Sequence, residues 1–258
     1  MEALSLEITL ALLAVAFIAG VIDAIAGGGG LITVPALLWS GIPPAQALGT
    51  NKLQACFGTL AAVHQYHKKG HINFRALRWA IFWTFLGAAL GAVLVQAIDA
   101  DFLYGLIPIL LILVALYFLF SPNLGKTKAD PRLSKNSFAL IVGFSIGFYD
   151  GFFGPGTGSF FMAAFVLLAG ASLIEATAQT KVLNLTSNLA ALLFFTLGDN
   201  VLWTIGLMMA AAQILGGYAG AHLAINHGER LIRPLVVIIS SAISIKLLIS
   251  RYWPGITD

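Results

Sequence analysis

Residues 21–35 read VIDAIAGGGGLITVP and place an aspartate and four consecutive glycines between two apolar runs. A second stretch, GFYDGFFGPGTGSF at residues 147–160, has the same order of an apolar run, an aspartate and a glycine-rich turn. Glycine weakens a helix interior and lets the backbone turn sharply. The two stretches therefore predict two points at which an apolar helix is interrupted.

The composition around these stretches is that of an integral membrane protein. Of the 258 residues, 59% are hydrophobic and only 10% are charged, and the mean hydropathy is +0.92. Apolar runs long enough to cross a bilayer lie at residues 4–22, 77–98, 102–120, 201–223 and 231–250, with weaker candidates at 45–66, 137–149 and 177–197. The sequence predicts an all-α polytopic protein, partnered by the lipid bilayer, with about 8 to 10 transmembrane segments.

The chain contains a pattern of internal duplication. Asp23 matches Asp150 at an offset of 127 residues, and Lys52 matches Lys181 at an offset of 129. Related residues at a nearly constant offset are typical of a repeat. We predict two pseudo-symmetric repeats and a polar connection between them: a first repeat at 1–121, a cytoplasmic linker at 122–136 and a second repeat at 137–258.

The distribution of lysine and arginine predicts that the second repeat is inverted. With the linker cytoplasmic, an inverted second repeat places ten basic loop residues inside and one outside, whereas a parallel repeat gives nine and two. Inversion requires an odd number of crossings in each repeat. The runs 31–41 and 160–170 are too short to cross alone, at about 16 Å of helix, so we predict two broken or re-entrant hairpins. Paired interruptions of this kind are typical of a transporter's binding site.

The candidate site consists of the glycine clusters and the polar residues near them. Each short helix would begin inside the membrane, where the free N–H groups and the dipole of its N-terminus attract an anion. Lysines inside a membrane segment are costly and indicate a paired or hydrated location. The candidate substrate-binding residues are Gly28, Gly29, Gly30, Thr50, Asn51, Lys52, Gln54, Gly156, Thr157, Gly158, Ser159, Thr180, Lys181, Asn184 and Asn188. The candidate proton-coupling carboxylates are Asp23 and Asp150.

Other interpretations of these residues and of the composition are open. Asp23 and Asp150 would also suit helix caps or structural ion pairs with Lys52 and Lys181, because buried charges are usually paired whatever their function. The histidines stand at unrelated spacings, so no metal site is expected. No nucleotide-binding or hydrolase motif occurs, so neither a cofactor nor an enzymatic activity is expected. The basic residues form no groove with aromatic residues, so no nucleic-acid partner is expected.

Two motifs resemble those of a known family. DAIAGGGGLITVPALLWSGIPPAQALGTNKLQA at residues 23–55 and GFYDGFFGPGTGSF at 147–160 resemble the sulfite exporter TauE/SafE family of permeases, and most closely its YfcA-like branch. The resemblance extends over nearly the whole chain. It implies a multi-pass protein of the bacterial inner membrane that exports a small sulfur-containing anion, such as sulfite or an organosulfonate. It also implies an ion-coupled, specifically proton-coupled, route.

The residues and the resemblance together predict a secondary transporter for a small anion. The anion would be held between the two half-helix N-termini and the ammonium groups of Lys52 and Lys181, and protonation of an aspartate would release its lysine for the anion. One alternative is an uncoupled anion channel that uses the same helix ends. Another is a non-transporting membrane scaffold subunit, which the short loops and helix-packing glycines would suit. The sequence leaves the oligomeric state open, a homodimer included.

Overall fold

A computed structural model describes residues 5–26, 28–120, 130–227 and 232–252. All regular structure among these residues is helical. The helices are α1 (Leu6–Ala26), α2 (Gly30–Trp39), α3 (Pro44–Lys68), α4 (Phe74–Gln96), α5 (Ala100–Phe120), α6 (Lys135–Ser137), α7 (Phe144–Phe152), α8 (Thr157–Leu167), α9 (Leu173–Leu197), α10 (Trp203–His227) and α11 (Ile232–Tyr252). A π-helical segment, Phe138–Gly143, joins α6 to α7. The predicted all-α class is confirmed.

Several helices have the length and the apolar surface of membrane spans. Among the described residues, four windows are long and apolar enough to cross: Leu6–Asp23, Phe74–Gln96, Ala100–Tyr117 and Leu173–Leu197. Large apolar side chains stand on the outside of the bundle, such as Leu113 at 56% and Leu215 at 63% exposure. Such a surface suits lipid and not water. The total number of crossings stays a prediction, and residues 122–129 of the predicted linker lie outside the described residues.

Both glycine-rich stretches interrupt the helices as predicted. α2 has 10 residues and α8 has 11, about 15 Å of helix. Each short helix is followed by a turn and then by a 25-residue helix, α3 or α9. Gly41 and Gly170 lie in these two turns, with φ of +82° and +68°, a region that glycine enters without steric cost. The chain therefore forms two hairpins, each with a short and a long arm.

Both short helices begin inside their glycine-rich stretches. Gly30 is already the first residue of α2, and Gly158 lies in the first turn of α8. The second short helix starts three residues earlier than predicted, because Gly156 adopts a left-handed φ of +86° and completes the turn at once. Glycine content alone therefore overestimates the unwound length.

Helix α9 also begins earlier than the predicted residue 177. It starts at Leu173, directly after a capping box in which Ser172 and Glu175 satisfy each other's backbone N–H groups. A capping box fixes a helix start because it supplies acceptors to otherwise unbonded N–H groups. Residues 173–176 therefore belong to α9, ahead of its predicted start.

The helices of the two halves pack against one another. α1 packs along α10 and α4 along α7, while α3 faces α9 and α5 faces α11. The first two contacts bring backbones together: a Cβ on Gly216 would overlap the carbonyl oxygen of Phe17, and one on Gly87 that of Phe144. Small residues allow such close approach between membrane helices. The short helices α2 and α8 lie within this framework, with α2 in contact with α1, α3, α5 and α11, and α8 in contact with α7 and α9.

Candidate functional site

The first turns of α2 and α8 lie beside each other inside the protein. A Cβ on Gly30 would lie 3.4 Å from Pro155 Cα and 3.8 Å from Asn51 Nδ2, so both glycine-rich turns and α3 meet here. The amide N–H groups of Gly30 and Gly158 donate no hydrogen bond to another described residue. Free N–H groups at two helix N-termini form a favourable place for an anion.

A polar cavity of about 40 Å³, which we call the central cavity, lies between these turns. Its wall is formed by the two turns, the end of α1, and parts of α3, α7, α9 and α10. A cavity of about 10–15 Å³ on this kind of measure can hold one water molecule. The central cavity in this conformation is therefore small, with room for a few water molecules.

A buried ion pair lies on the wall of the central cavity. Lys52 Nζ is 2.8 Å from Asp150 Oδ1, and the two side chains are 1% and 2% exposed. The Thr157 hydroxyl lies 2.7 Å from the same carboxylate oxygen. Gly154 permits this arrangement, since it has a φ of +100° and a Cβ on it would overlap Lys52 Nζ. The pair joins α3 of the first half to α7 of the second half, and it neutralises the Lys52 ammonium.

A hydrogen-bond cluster orients Asn51 beside the same turns. Its Oδ1 accepts a hydrogen bond of 2.6 Å from the Thr33 hydroxyl and one of 2.9 Å from Gln54 Nε2. With the oxygen occupied by two donors, the Asn51 amide nitrogen is the atom that approaches the Gly30 turn. On the opposite wall, Asn188 Nδ2 donates to Asn184 Oδ1 at 3.2 Å. The central cavity therefore presents N–H donors from several directions, as an oxyanion requires.

A larger cavity of about 210 Å³, which we call the vestibule, adjoins the central cavity. It lies between α1, α3, α9 and α10 and follows α3 from Gly58 to Lys69, a path of about 16 Å. Asp23 and Gln213 line both cavities, so the two spaces meet at these residues. Lys69 is exposed and belongs to the basic loop that the charge distribution predicts to be cytoplasmic.

Lys181 lies on the wall of the vestibule and not on that of the central cavity. Its side chain is half-buried, and no carboxylate of the described residues lies within 4.0 Å of its ammonium nitrogen. Asp23 is also half-buried, and its Oδ1 accepts one long contact of 3.5 Å from the Gly29 amide. The second lysine and the second aspartate thus share a cavity without forming an ion pair.

Comparison with known proteins identifies the family. Residues 12–247 match the family model described as "Sulfite exporter TauE/SafE". The chain belongs to the sulfite exporter TauE/SafE family. It is 47% identical to a Haemophilus influenzae protein named "Probable membrane transporter protein", over 97% of this chain and 98% of the relative. It is 48% identical to Escherichia coli K12 "Probable membrane transporter protein YfcA", over 91% of this chain and 87% of the relative.

Membership of the TauE/SafE family, together with the apolar helices, makes the chain a multi-pass membrane transporter protein of the cell membrane. A Sinorhizobium protein named "Probable membrane transporter protein ORF9" is 46% identical, over 99% of this chain and its own full length. No solved structure matches the chain. The resemblance found in the sequence is thereby confirmed at the level of the family.

Most of the predicted site residues of this TauE/SafE protein lie on a cavity wall. Those on the central cavity are Asp23, Gly29, Gly30, Asn51, Lys52, Asp150, Gly156, Thr157, Gly158, Asn184 and Asn188. Those on the vestibule are Asp23 and Lys181. The predicted residues that line neither cavity are Gly28, Thr50, Gln54, Ser159 and Thr180.

Two of the residues away from the cavities have visible packing contacts. The Thr50 hydroxyl accepts a 3.0 Å hydrogen bond from the Leu202 amide, which ties α3 to the turn before α10. Gln54 supports Asn51 from one turn further along α3, as described above. Both side chains are almost fully buried, at 0% and 1% exposure. These contacts support α3 and the Asn51 side chain, which line the central cavity.

Gln213 is a cavity residue that the sequence analysis did not single out. It lies on α10, is 5% exposed and lines both cavities. Its Oε1 is buried and has no hydrogen-bond partner among the described residues. The available signal was a lone amide within the apolar run 201–223, because polar residues inside membrane helices are usually functional.

Proposed function

We propose that this chain is a secondary, proton-coupled transporter that exports a small sulfur-containing anion, such as sulfite or an organosulfonate. The observation that carries the proposal is the meeting of two short-helix N-termini at a buried cavity that also contains a lysine and two aspartates. Helix N-termini at membrane depth supply N–H donors and positive potential to an anion. Carboxylates in the same place supply groups that can bind and release a proton.

The chemistry of the walls suits a sulfur oxyanion. Sulfite and sulfonates present three oxygens around one sulfur atom, and the donors here converge from the α2 turn, the α8 turn and the Asn51 amide. A planar carboxylate has only two oxygens and would leave one direction without a partner. An unpaired donor in a buried site lowers affinity, because its desolvation is not compensated.

The inverted repeat is part of this proposal, because alternating access in many transporters arises from two inverted repeats around a fixed site. Asp23 stands seven residues before the first residue of α2, and Asp150 stands seven before the first residue of α8. Lys52 and Lys181 are each the ninth residue of the long helix that follows. The packing of α1 on α10 and of α7 on α4 has the exchange of partners that a two-fold arrangement requires.

Two features support proton coupling: the sequence has no nucleotide-binding motif, and two aspartates lie at the candidate site. No nucleotide-binding motif occurs, so concentrative transport must use an ion gradient. Protonation of Asp150 would remove the charge that holds Lys52, and protonation of Asp23 would remove a negative charge from the junction of the cavities. Both steps favour passage of an anion.

The ligand class is tested by thermal unfolding of the purified protein with sulfite, sulfoacetate, thiosulfate, taurine and simple carboxylates. A ligand that binds the native state raises the unfolding temperature as its concentration exceeds Kd. We expect sulfite or sulfoacetate to stabilise the protein more than acetate does at equal concentration and ionic strength. Stabilisation by carboxylates alone would contradict the sulfur-anion proposal.

The two alternatives make different predictions. A channel would give anion flux that follows the membrane potential and ignores an imposed pH gradient. A scaffold requires no route for an anion through the protein, so this alternative predicts that both lysines are in dry ion pairs. Lys52 is in an ion pair on the wall of the central cavity, and Lys181 lies without an ion pair to a described carboxylate on the wall of the 210 Å³ vestibule, which favours the transporter.

A further inference from the structure

Two equivalent lysines of this chain have different surroundings. Lys52 and Lys181 occupy the same position in α3 and α9, and Asp150 and Asp23 occupy the same position before α8 and α2. Lys52 forms a 2.8 Å ion pair with the aspartate of the opposite half. Lys181 also shares a cavity with the aspartate of the opposite half, Asp23, but the two are not paired. Lys52 and Asp150 therefore form an ion pair, whereas the corresponding residues Lys181 and Asp23 do not.

We infer that the vestibule is the anion-binding site of this conformation, that Lys181 is its cation, and that the Asp23 carboxylate competes with the anion for Lys181. This inference rests on the proposed function and assigns the anion to one of the two cavities. In this arrangement the anion binds Lys181 while Asp23 is protonated. When Asp23 loses its proton, it pairs with Lys181 and displaces the anion.

The vestibule suits an anion better than the central cavity does in this conformation. Its volume is about 210 Å³ against about 40 Å³, which leaves room for an organosulfonate. The Lys52 ammonium is already neutralised by Asp150, whereas no described carboxylate lies within 4.0 Å of the Lys181 ammonium. A half-buried ammonium without a counter-charge attracts an anion more strongly than a neutral pair does.

Gln213 adds a second polar group to this site. Its amide lies at the junction of the two cavities, where a Cβ on Gly58 would stand 3.2 Å from Gln213 Nε2. Its Oε1 is buried without a partner among the described residues, so that oxygen does not fix the orientation of the amide. The nitrogen is therefore available to donate to an oxyanion that moves from the vestibule towards the centre.

Several titratable or charged side chains surround Asp23. The vestibule is also lined by Lys181 on α9, Tyr66 on α3, Lys69 directly after α3, and Tyr218 on α10. Lys52 and Asp150 line the central cavity. The described residues of α2 include no titratable side chain. Lys52 and Asp150 cancel each other, so Lys181 is the nearby cation for which a deprotonated Asp23 competes. Anion affinity is therefore expected to be lower when the Asp23 carboxylate is charged than when it is protonated.

The test measures equilibrium binding of sulfite, sulfoacetate, phosphate and acetate to the purified full-length protein across a pH range. The variants are Lys181→Gln, Lys181→Arg and Asp23→Asn. The matched control is Lys68→Gln, which removes the same charge from an exposed residue that lines neither cavity. Each variant is first checked for wild-type thermal unfolding, so that loss of fold is not read as loss of binding.

We expect Lys181→Gln to weaken anion binding by roughly 10-fold or more, the range for a hydrogen bond to a charged group. Lys181→Arg should restore most of the affinity, and Lys68→Gln should bind like the wild type. Asp23→Asn should reduce the pH dependence to the part that comes from protonation of the anion itself. Wild-type affinity in Lys181→Gln, or unchanged pH dependence in Asp23→Asn, would overturn the inference.

The panel of anions separates this inference from the proposed function. If sulfite binds but does not depend on Lys181, the inference fails and the sulfur-anion proposal stands. If phosphate or acetate binds in preference to sulfite, and its binding depends on Lys181 and Asp23, the vestibule site stands and the sulfur class fails. If no anion binds the wild type, both fail.

Discussion

Breaking the ion pair between Lys52 and Asp150 should strongly destabilise this protein. Both side chains are nearly inaccessible, at 1% and 2% exposure, and their charged atoms are 2.8 Å apart. Removal of one partner leaves a buried charge without compensation, which costs about 3–5 kcal/mol. For a chain of this size 1 kcal/mol shifts the unfolding temperature by about 2–4 °C, so Lys52→Met or Asp150→Asn should each lower it by on the order of 10 °C.

The double variant distinguishes a direct ion pair from two independent effects. With both charges removed, no buried charge lacks a partner, so Lys52→Met/Asp150→Asn should be more stable than either single variant. The assay is thermal unfolding in one detergent at one pH, with Lys68→Met as the control for loss of an exposed lysine. Additive losses in the double variant, or single variants within about 2 °C of the wild type, would refute the reasoning.

Three further predictions concern the glycines and Thr50. Gly154→Ala should be more destabilising than Gly41→Ala in thermal unfolding. Both glycines have a positive φ, but a Cβ on Gly154 would overlap Lys52 Nζ, whereas one on Gly41 would meet nothing within 4 Å. Gly216→Ala should cost about 1–3 kcal/mol by forcing α10 from α1, whereas Gly217→Ala, whose nearest new contact is at 4.0 Å, should unfold like the wild type. Thr50→Val should cost about 1 kcal/mol through the lost hydrogen bond from the Leu202 amide, in the turn before α10. Equal stability in either glycine comparison, or wild-type stability in Thr50→Val, would contradict these assignments.

The hairpins were predictable because their signals are local. Glycine clusters, short apolar runs and the turn before Pro44 determine where a helix can continue, and each acts over a few residues. The same local signals did not predict the residues at which α8 and α9 begin. The residues of the capping box, Ser172 and Glu175, are present in the sequence, whereas the left-handed conformation of Gly156 among its neighbouring glycines is seen only in the structure.

The division of the site into two cavities could not be predicted. The sequence places Lys52 and Lys181 at matching positions, and this equivalence predicts matching roles. In the structure one lysine is paired across the halves and the other lies on the vestibule, because the surroundings depend on how the two halves are set against each other. A repeat determines which residues correspond, while the conformation determines which of them are paired.

The most direct test of the account is flux of labelled sulfite in proteoliposomes that contain the purified protein. The membrane potential is clamped to zero with potassium and valinomycin, and a pH gradient is then imposed as the only driving force. The account predicts that sulfite accumulates against its own gradient, and that the accumulation reverses when the pH gradient is reversed. Equal sulfite flux with and without the pH gradient would contradict proton coupling, and no flux above protein-free liposomes would contradict transport of this anion.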